Sequence, residues 1–221
     1  MQITARVSVA EVARARHGAL VVFDEAGIDY CCRGASSLED AADDAGLDPD
    51  DLIAKLSTLE EQSELPLSAI VRELIEDHRR CIGNQIPEVR VAIEKARLAR
   101  VERLFSRFAA VITAHMLNEE RDLLPHIIQL ELAQNGSAPP PALRISHRVL
   151  GELVEHERLH EQLLTMRLLA AEASASPATF EVRRKLATFM RDVNRHMHIE
   201  NNVLYPRAIE IENRLKRLQT A

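Results

Sequence analysis

Tryptophan is absent from the 221-residue chain, and aromatic residues make up only 3% of it. Without large rings to fill an interior, the core has to be aliphatic, which suits a helical bundle better than a β-sandwich. Apolar residues themselves are plentiful, at 46% against 28% charged, and this excludes a chain disordered by composition. The length leaves room for one ordinary domain plus a small one. No apolar run reaches the length that spans a membrane. An excess of basic charge is also lacking, and the net charge of −6 argues against nucleic acid as the main partner. Met1 to Ala15 carries Arg6, Glu11 and Arg14 and no signal-peptide core, so the expectation is a cytoplasmic protein. Cysteines number three, too few and too unevenly placed for a disulfide framework. Cys31 and Cys32 are neighbours, and a bridge between them would strain the peptide that joins them. They read as reduced thiols.

Helix signals divide the chain. Ser8, with Glu11 three residues on, forms a capping box, and Gly27 ends the helix that this box opens. Ile28-Asp29-Tyr30-Cys31-Cys32-Arg33-Gly34 is then a turn. Ser37 opens a second short helix ended by Gly46, and Asp48-Pro49 opens a third with Leu52, Ile53 and Leu56. Residues 1–56 are expected to form a small helical domain, and the polar, acidic stretch 57–66 a linker. Residues 67–221 show helical periodicity with no convincing strand. Breakers are few there: Asn135-Gly136-Ser137-Ala138-Pro139-Pro140-Pro141, and Ser174-Ala175-Ser176-Pro177. The predicted fold is all-α, a small helical domain followed by an up-down four-helix bundle.

The bundle carries one motif twice. His115-Met116-Leu117-Asn118-Glu119 leads to Pro125, and His196-Met197-His198-Ile199-Glu200 leads to Pro206. In each copy His and Glu stand four apart, on one helix face, with Pro ten residues after the His. Imidazole and carboxylate side by side suit iron, manganese or zinc, and a carboxylate can bridge two metals, so a two-metal site is expected. In an up-down bundle, inward ligands at one height are symmetric about each hairpin turn. The midpoint of His115 and His156 falls at 135.5, on Asn135-Gly136, and that of His156 and His196 at 176, on Ser176-Pro177. His156 thereby joins the set, and His78 joins as the one histidine of the first bundle helix. The same symmetry applied to His78 and His115 demands a turn near residue 97, where no breaker stands. Pro87, Pro125 and Pro206 predict kinks or helix ends just beyond the metal layer.

The remaining histidines have plainer readings. His160 lies one turn after His156 and is a substitute or supporting ligand at most. His198 and His147 fall on opposite faces from His196 and His156, with His198 expected in solvent. His126 is about three turns from His115, and His17 is structural. Glu155 and Glu157 flank His156 and either orient a ligand imidazole or are surface charge, while Cys81 packs in the core. The pair Cys31 and Cys32 either binds iron transiently, takes up a nitrosyl or exchanges disulfides, or is simply two small buried residues.

Gly27 to Gly34, the short helix after it, His115 to Pro125 and His196 to Pro206-Arg207-Ala208 together resemble the iron–sulfur cluster repair di-iron family, also called RIC. In that family an N-terminal Cys-Cys domain precedes a hemerythrin-like domain. The resemblance covers essentially the whole chain. It implies two non-haem irons in a bridged centre, held by His78, His115, His156 and His196, with Glu119 and Glu200 as bridges. It also implies damaged or apo iron–sulfur proteins as partners, oxygen or nitric oxide as small ligands, and repair of clusters after oxidative or nitrosative stress. Cys31 and Cys32 would act as exchange or relay groups. A homodimer is compatible with this reading, and neither nucleic acid nor membrane is expected as a partner. The chain departs from the family's pattern in four places. Arg33 replaces a Gly after the cysteines, Arg100 stands where many relatives carry a histidine, the loop that follows there in relatives is nearly absent, and the spacing from His78 to Pro87 is one residue off.

Three kinds of activity compete on these residues. Iron held by imidazole and carboxylate, without thiolates, passes readily to a thiolate-rich recipient, which makes an iron donor for cluster repair. The alternatives are a di-iron nitric oxide reductase, and a hemerythrin-like sensor or carrier of oxygen or nitric oxide.

Overall fold

Caps fix where the helices of the N-terminal part start and stop. A computed structural model describes residues 1–16, 18–142 and 144–219, with no side chain described for Gln219. The chain divides into a smaller unit, Met1–Pro66 with Asn194–Arg207, and a larger one, Leu67–Val193 with Ala208–Ala221. In the smaller unit Ser8 caps α1 (Val9–Ala15) through the expected capping box: the Glu11 N–H donates to Ser8 Oγ at 3.2 Å, and the Ser8 N–H to Glu11 Oε2 at 3.0 Å. The helix does not run on to Gly27. It breaks at Arg16, whose backbone is extended, and α2 (Ala19–Ala26) restarts after Gly18, at φ 84°. The left-handed backbone at Gly18 costs a glycine little, and sequence periodicity alone gave no sign of the break.

Ser37 caps α3 (Leu38–Ala45), and Asp48 caps α4 (Pro49–Ser57). Val9, Val12, Phe23, Leu38, Leu52 and Leu56 form the small unit's core. The stretch 57–66 is fastened to this unit. The Gln62 N–H donates to Ala15 O at 2.8 Å, and the Arg16 guanidinium donates to Leu59 O at 3.0 Å.

The bundle helices begin with α5 (Leu67–Arg80), a π turn at Cys81–Gln85, and α6 (Ile86–Ala96). Then come α7 (Ala99–Asn118), a π turn at Glu119–Leu123, and α8 (Leu124–Gln134). After α9 (Ile145–Glu172), α10 (Pro177–Ile199) leads through a π turn at Glu200–Leu204 into α11 (Tyr205–Gln219). Among the described residues there are no strands, only the isolated bridges Ser8↔Ser37 and Arg16↔Glu61. The predicted kinks are thus π turns. Pro87, Pro125 and Pro206 each sit second in the helix that follows one. A proline has no N–H for the ladder, and its ring crowds the preceding turn. One wider turn relieves that crowding: the N–H groups of Ile86, Leu124 and Tyr205 donate five residues back, to Cys81, Glu119 and Glu200. A π turn holds an extra residue without ending the helix, and His78, ahead of the first one, is fully buried.

The turn demanded near residue 97 exists. Arg97 ends α6 at φ 53°, a left-handed conformation taken without a glycine. Two helix starts are capped from a distance. The Glu131 carboxylate accepts from the N–H groups of Leu67 and Ser68 at 2.7 and 3.0 Å, and Glu212 accepts from Ile145 and Ser146 at 2.9 and 3.5 Å. Phe105, Phe108 and Phe189 pack ring to ring, with centroids 5.7 to 6.5 Å apart. No helix among the described residues is long and apolar enough to cross a membrane.

Candidate metal centre

In the larger unit, α5, α7 and α9 supply His78, His115 and His156, all buried, and the π turn after α7 supplies Glu119, 1% exposed. The i, i+4 spacing brings His115 Nε2 to 3.4 Å from Glu119 Oε2, and the same oxygen lies 3.6 Å from His78 Nε2. His156 Nε2 faces His115 Nε2 at 2.9 Å. Two imidazole nitrogens aimed at each other share either a proton or a cation. One atom each from His115, Glu119 and His156 falls within 4.8 Å of the others.

The second ring nitrogens have carboxylate neighbours. His78 Nδ1 is 2.9 Å from Glu120 Oε1, and His115 Nδ1 is 3.3 Å from both Glu152 Oε2 and Glu155 Oε2. A carboxylate on Nδ1 fixes that nitrogen as the donor and leaves Nε2 as the ligand atom. Glu155 therefore serves His115 rather than its sequence neighbour His156, and Glu157 is exposed. Glu120 and Glu152 escaped sequence reasoning. The one available signal was that Glu120 follows Glu119, where a π turn can aim two successive residues inward.

In the smaller unit, the motif repeats on α10 and its π turn. His196 Nε2 lies 3.2 Å from Glu200 Oε1, with both residues buried. A carboxylate buried as deeply as Glu119 or Glu200 costs several kcal/mol in lost solvation unless charge compensates it. Imidazole nitrogen beside carboxylate oxygen is a donor set that a divalent cation satisfies, so the residues present fit a first-row metal.

The cysteine turn belongs to the same unit. Asp29 Oδ1 accepts from the N–H groups of Cys31 and Cys32, each at 3.0 Å, and the two Sγ atoms lie 3.3 Å apart. Cys31 is buried and Cys32 half-buried. The hydrogen bond with Cys32 and burial push the Cys31 thiol far above the usual range, so Cys31 is a thiol and not a thiolate at neutral pH. His198, expected in solvent, is instead buried, with Nδ1 3.1 Å from Tyr30 O and its ring edge-on to Tyr30. Burial pulls it down to about 4, so it is neutral. Among the other histidines, His160 and His126 are half-buried and His147 exposed, while His17 lies outside the described residues. Cys81 packs in the core as expected, its thiol pushed up to about 12 by burial.

Residues 69–208 match the family described as hemerythrin HHE cation binding domain. Residues 5–60 match ScdA_N, described as a domain of unknown function (DUF542). Proteins named iron-sulfur cluster repair protein YtfE, from Yersinia pseudotuberculosis serotype IB (strain PB1/+) and Yersinia pestis (strain Pestoides F), are each 28% identical to the chain over 211 residues. That match covers 86% of this chain and 91% of each relative.

Proposed function

The chain belongs to the hemerythrin HHE cation-binding family, and from that premise we propose that it is a non-haem di-iron protein that repairs damaged iron–sulfur clusters by giving up iron. One observation carries the reading. Two His-x-x-x-Glu pairs, His115 with Glu119 and His196 with Glu200, are each buried with imidazole against carboxylate, in a chain whose relatives are named for cluster repair. All six proposed ligands, His78, His115, Glu119, His156, His196 and Glu200, fall inside the matched stretch 69–208. In the sequence, the midpoint symmetry groups His115, His156 and His196. Two irons held there, with Glu119 and Glu200 as bridges, would supply ferrous iron on a set of ligands that thiolates outcompete.

The chain's own residues do the rest. Glu120 accepts a hydrogen bond from the Nδ1–H of His78, and Glu152 and Glu155 share the one from His115, so the Nε2 lone pairs stay directed at the metal positions. Burial keeps water from the carboxylates, which strengthens their hold on a cation. Cys32, the half-buried thiol, is the group placed for exchange with a recipient, in a reducing cytoplasm where apo iron–sulfur proteins are the partners.

The test is reactivation of a cluster enzyme inactivated by peroxide or by nitric oxide, with iron-loaded protein as the sole iron source. Recovery of activity, with loss of iron from the protein, is expected. Recovery that depends on added iron would remove the donor role. Nitrous oxide formed from nitric oxide over many turnovers would point instead to a reductase.

A further inference from the structure

Asn201 and Asn202 directly follow Glu200 in the π turn Glu200–Leu204. Both reach to the cysteine turn, some 170 residues away in sequence. Asn201 Nδ2 donates to Cys31 O at 3.1 Å, and Asn202 Nδ2 lies 3.1 Å from Tyr30 O and 3.3 Å from Cys31 O. The Cys31 carbonyl belongs to the peptide that joins Cys31 to Cys32, and the two Sγ atoms of that dipeptide are already 3.3 Å apart. Gly34 lets the turn come this close, since a Cβ there would stand 3.0 Å from Asn202 Oδ1 and 2.9 Å from Ala10 Cβ.

We infer that Asn201 and Asn202 are positioning residues for Glu200, anchored by the Tyr30 and Cys31 carbonyls, and that oxidation of Cys31 and Cys32 to a disulfide withdraws the anchor and speeds iron release. The inference rests on the reading of Glu200 as an iron ligand. Bonding the two sulfurs brings them from 3.3 Å to about 2.0 Å and closes a small ring through the joining peptide. That ring re-aims the carbonyl held by both asparagines. Disorder in their side chains then reaches Glu200 through one and two peptide units.

A peroxide is the oxidant by chemical class. The half-buried Cys32 attacks the O–O bond and becomes a sulfenic acid, releasing water. The Cys31 thiol then forms the S–S bond and releases the second water. Two thiols lose two electrons and two protons, and one hydrogen peroxide becomes two waters. The signal that damages clusters would in this way also release the iron that rebuilds them.

The experiment uses full-length, iron-loaded protein and a chromogenic ferrous chelator, before and after diamide, whose N=N bond takes up the two thiol hydrogens without touching oxygen chemistry. Peptide mapping should find Cys31 joined to Cys32. Chelator capture should then run about 10-fold faster or more, the scale on which support of a ligand sets metal affinity, and dithiothreitol should reverse the change. A Cys31→Ala/Cys32→Ala protein should show no response to diamide. Asn201→Ala/Asn202→Ala should release iron at the oxidised rate with or without diamide. Asn202→Asp, which keeps the shape and loses the N–H donor, should move the rate the same way should the double variant lose helicity. An unchanged rate in protein with the Cys31–Cys32 bond, failure of that bond to form, or an equal response from the double-cysteine variant overturns the inference and leaves the iron assignment intact. Untreated protein that holds no iron removes both.

Discussion

At the scale of single residues, two adjacent glutamates have different work. Glu119 is read as a bridge and Glu120 as the group that orients His78, 2.9 Å from its Nδ1. Glu119→Leu and Glu200→Leu should each abolish the bridged spectrum with helicity retained by circular dichroism. Glu120→Ala should leave the bridge but weaken iron affinity about 10- to 100-fold, the usual cost of losing a ligand's hydrogen-bond partner, measured by competition with a chelator. His156→Leu should lose or perturb one iron, whereas His160→Leu, one turn away, should be mild. The reverse order in iron analysis would place α9 one turn out of register. The repeated His-x-x-x-Glu was legible because it needs only helical periodicity. His198 was misplaced for a related reason. Periodicity set it opposite His196 and so outward, but that face of α10 is buried within the small unit, under Tyr30. The asparagine contacts to Tyr30 and Cys31 left no local pattern at all, because their partners lie far away along the chain.

Elements show where sequence signals stop short. A proline announces a disturbed helix, but not whether the helix ends, bends or widens into a π turn. Here it widens three times, each time close behind proposed ligands. Deleting Gly83 should turn the first π turn into an α turn with the faces of α5 and α6 kept, because a π turn is a helix turn that holds one extra residue. Iron bound through His78 should survive the deletion, as metal analysis would show. Gly83→Ala should also bind iron normally, since a Cβ there meets nothing within 4 Å.

The turn at Arg97 was unreadable because an arginine at φ 53° leaves no compositional trace. Left-handed backbone costs a non-glycine residue about 1–2 kcal/mol, part of which a glycine returns as unfolded-state entropy. Arg97→Gly should therefore raise stability by about 0.5–1 kcal/mol in urea unfolding.

Glu212 caps α9 in place of any local residue. Burial pushes its carboxyl up, but hydrogen bonds from Lys216, Ser146 and Ile145 outweigh this and hold it below its ordinary 4.5. A carboxyl lowered in the folded state adds stability above its unfolded value, and that stability is lost as pH falls through the folded one. Glu212→Ala should cost about 1–2 kcal/mol at pH 7, and the gap to wild type should close as pH falls below the ordinary glutamate range.

Taken whole, the molecule was legible in outline: an all-α chain, a small helical part before a bundle, and two copies of a metal-ligand motif. The compact units cut across the chain order, because Asn194–Arg207 groups with Met1–Pro66. The residues around Glu200 thus belong with the cysteine turn, and removal of residues 1–66 would strip the carbonyl partners from Asn201 and Asn202. Such a truncated protein should lose iron to a chelator faster than the full chain. The central claim is that six buried side chains hold two coupled irons. Metal analysis joined to Mössbauer spectroscopy of the purified, iron-57-loaded full chain tests it most directly. The account predicts two irons per chain and, in the oxidised protein, a diamagnetic ground state from two bridged ferric ions. Zinc in place of iron, a single iron, or two irons with independent paramagnetic spectra would contradict it.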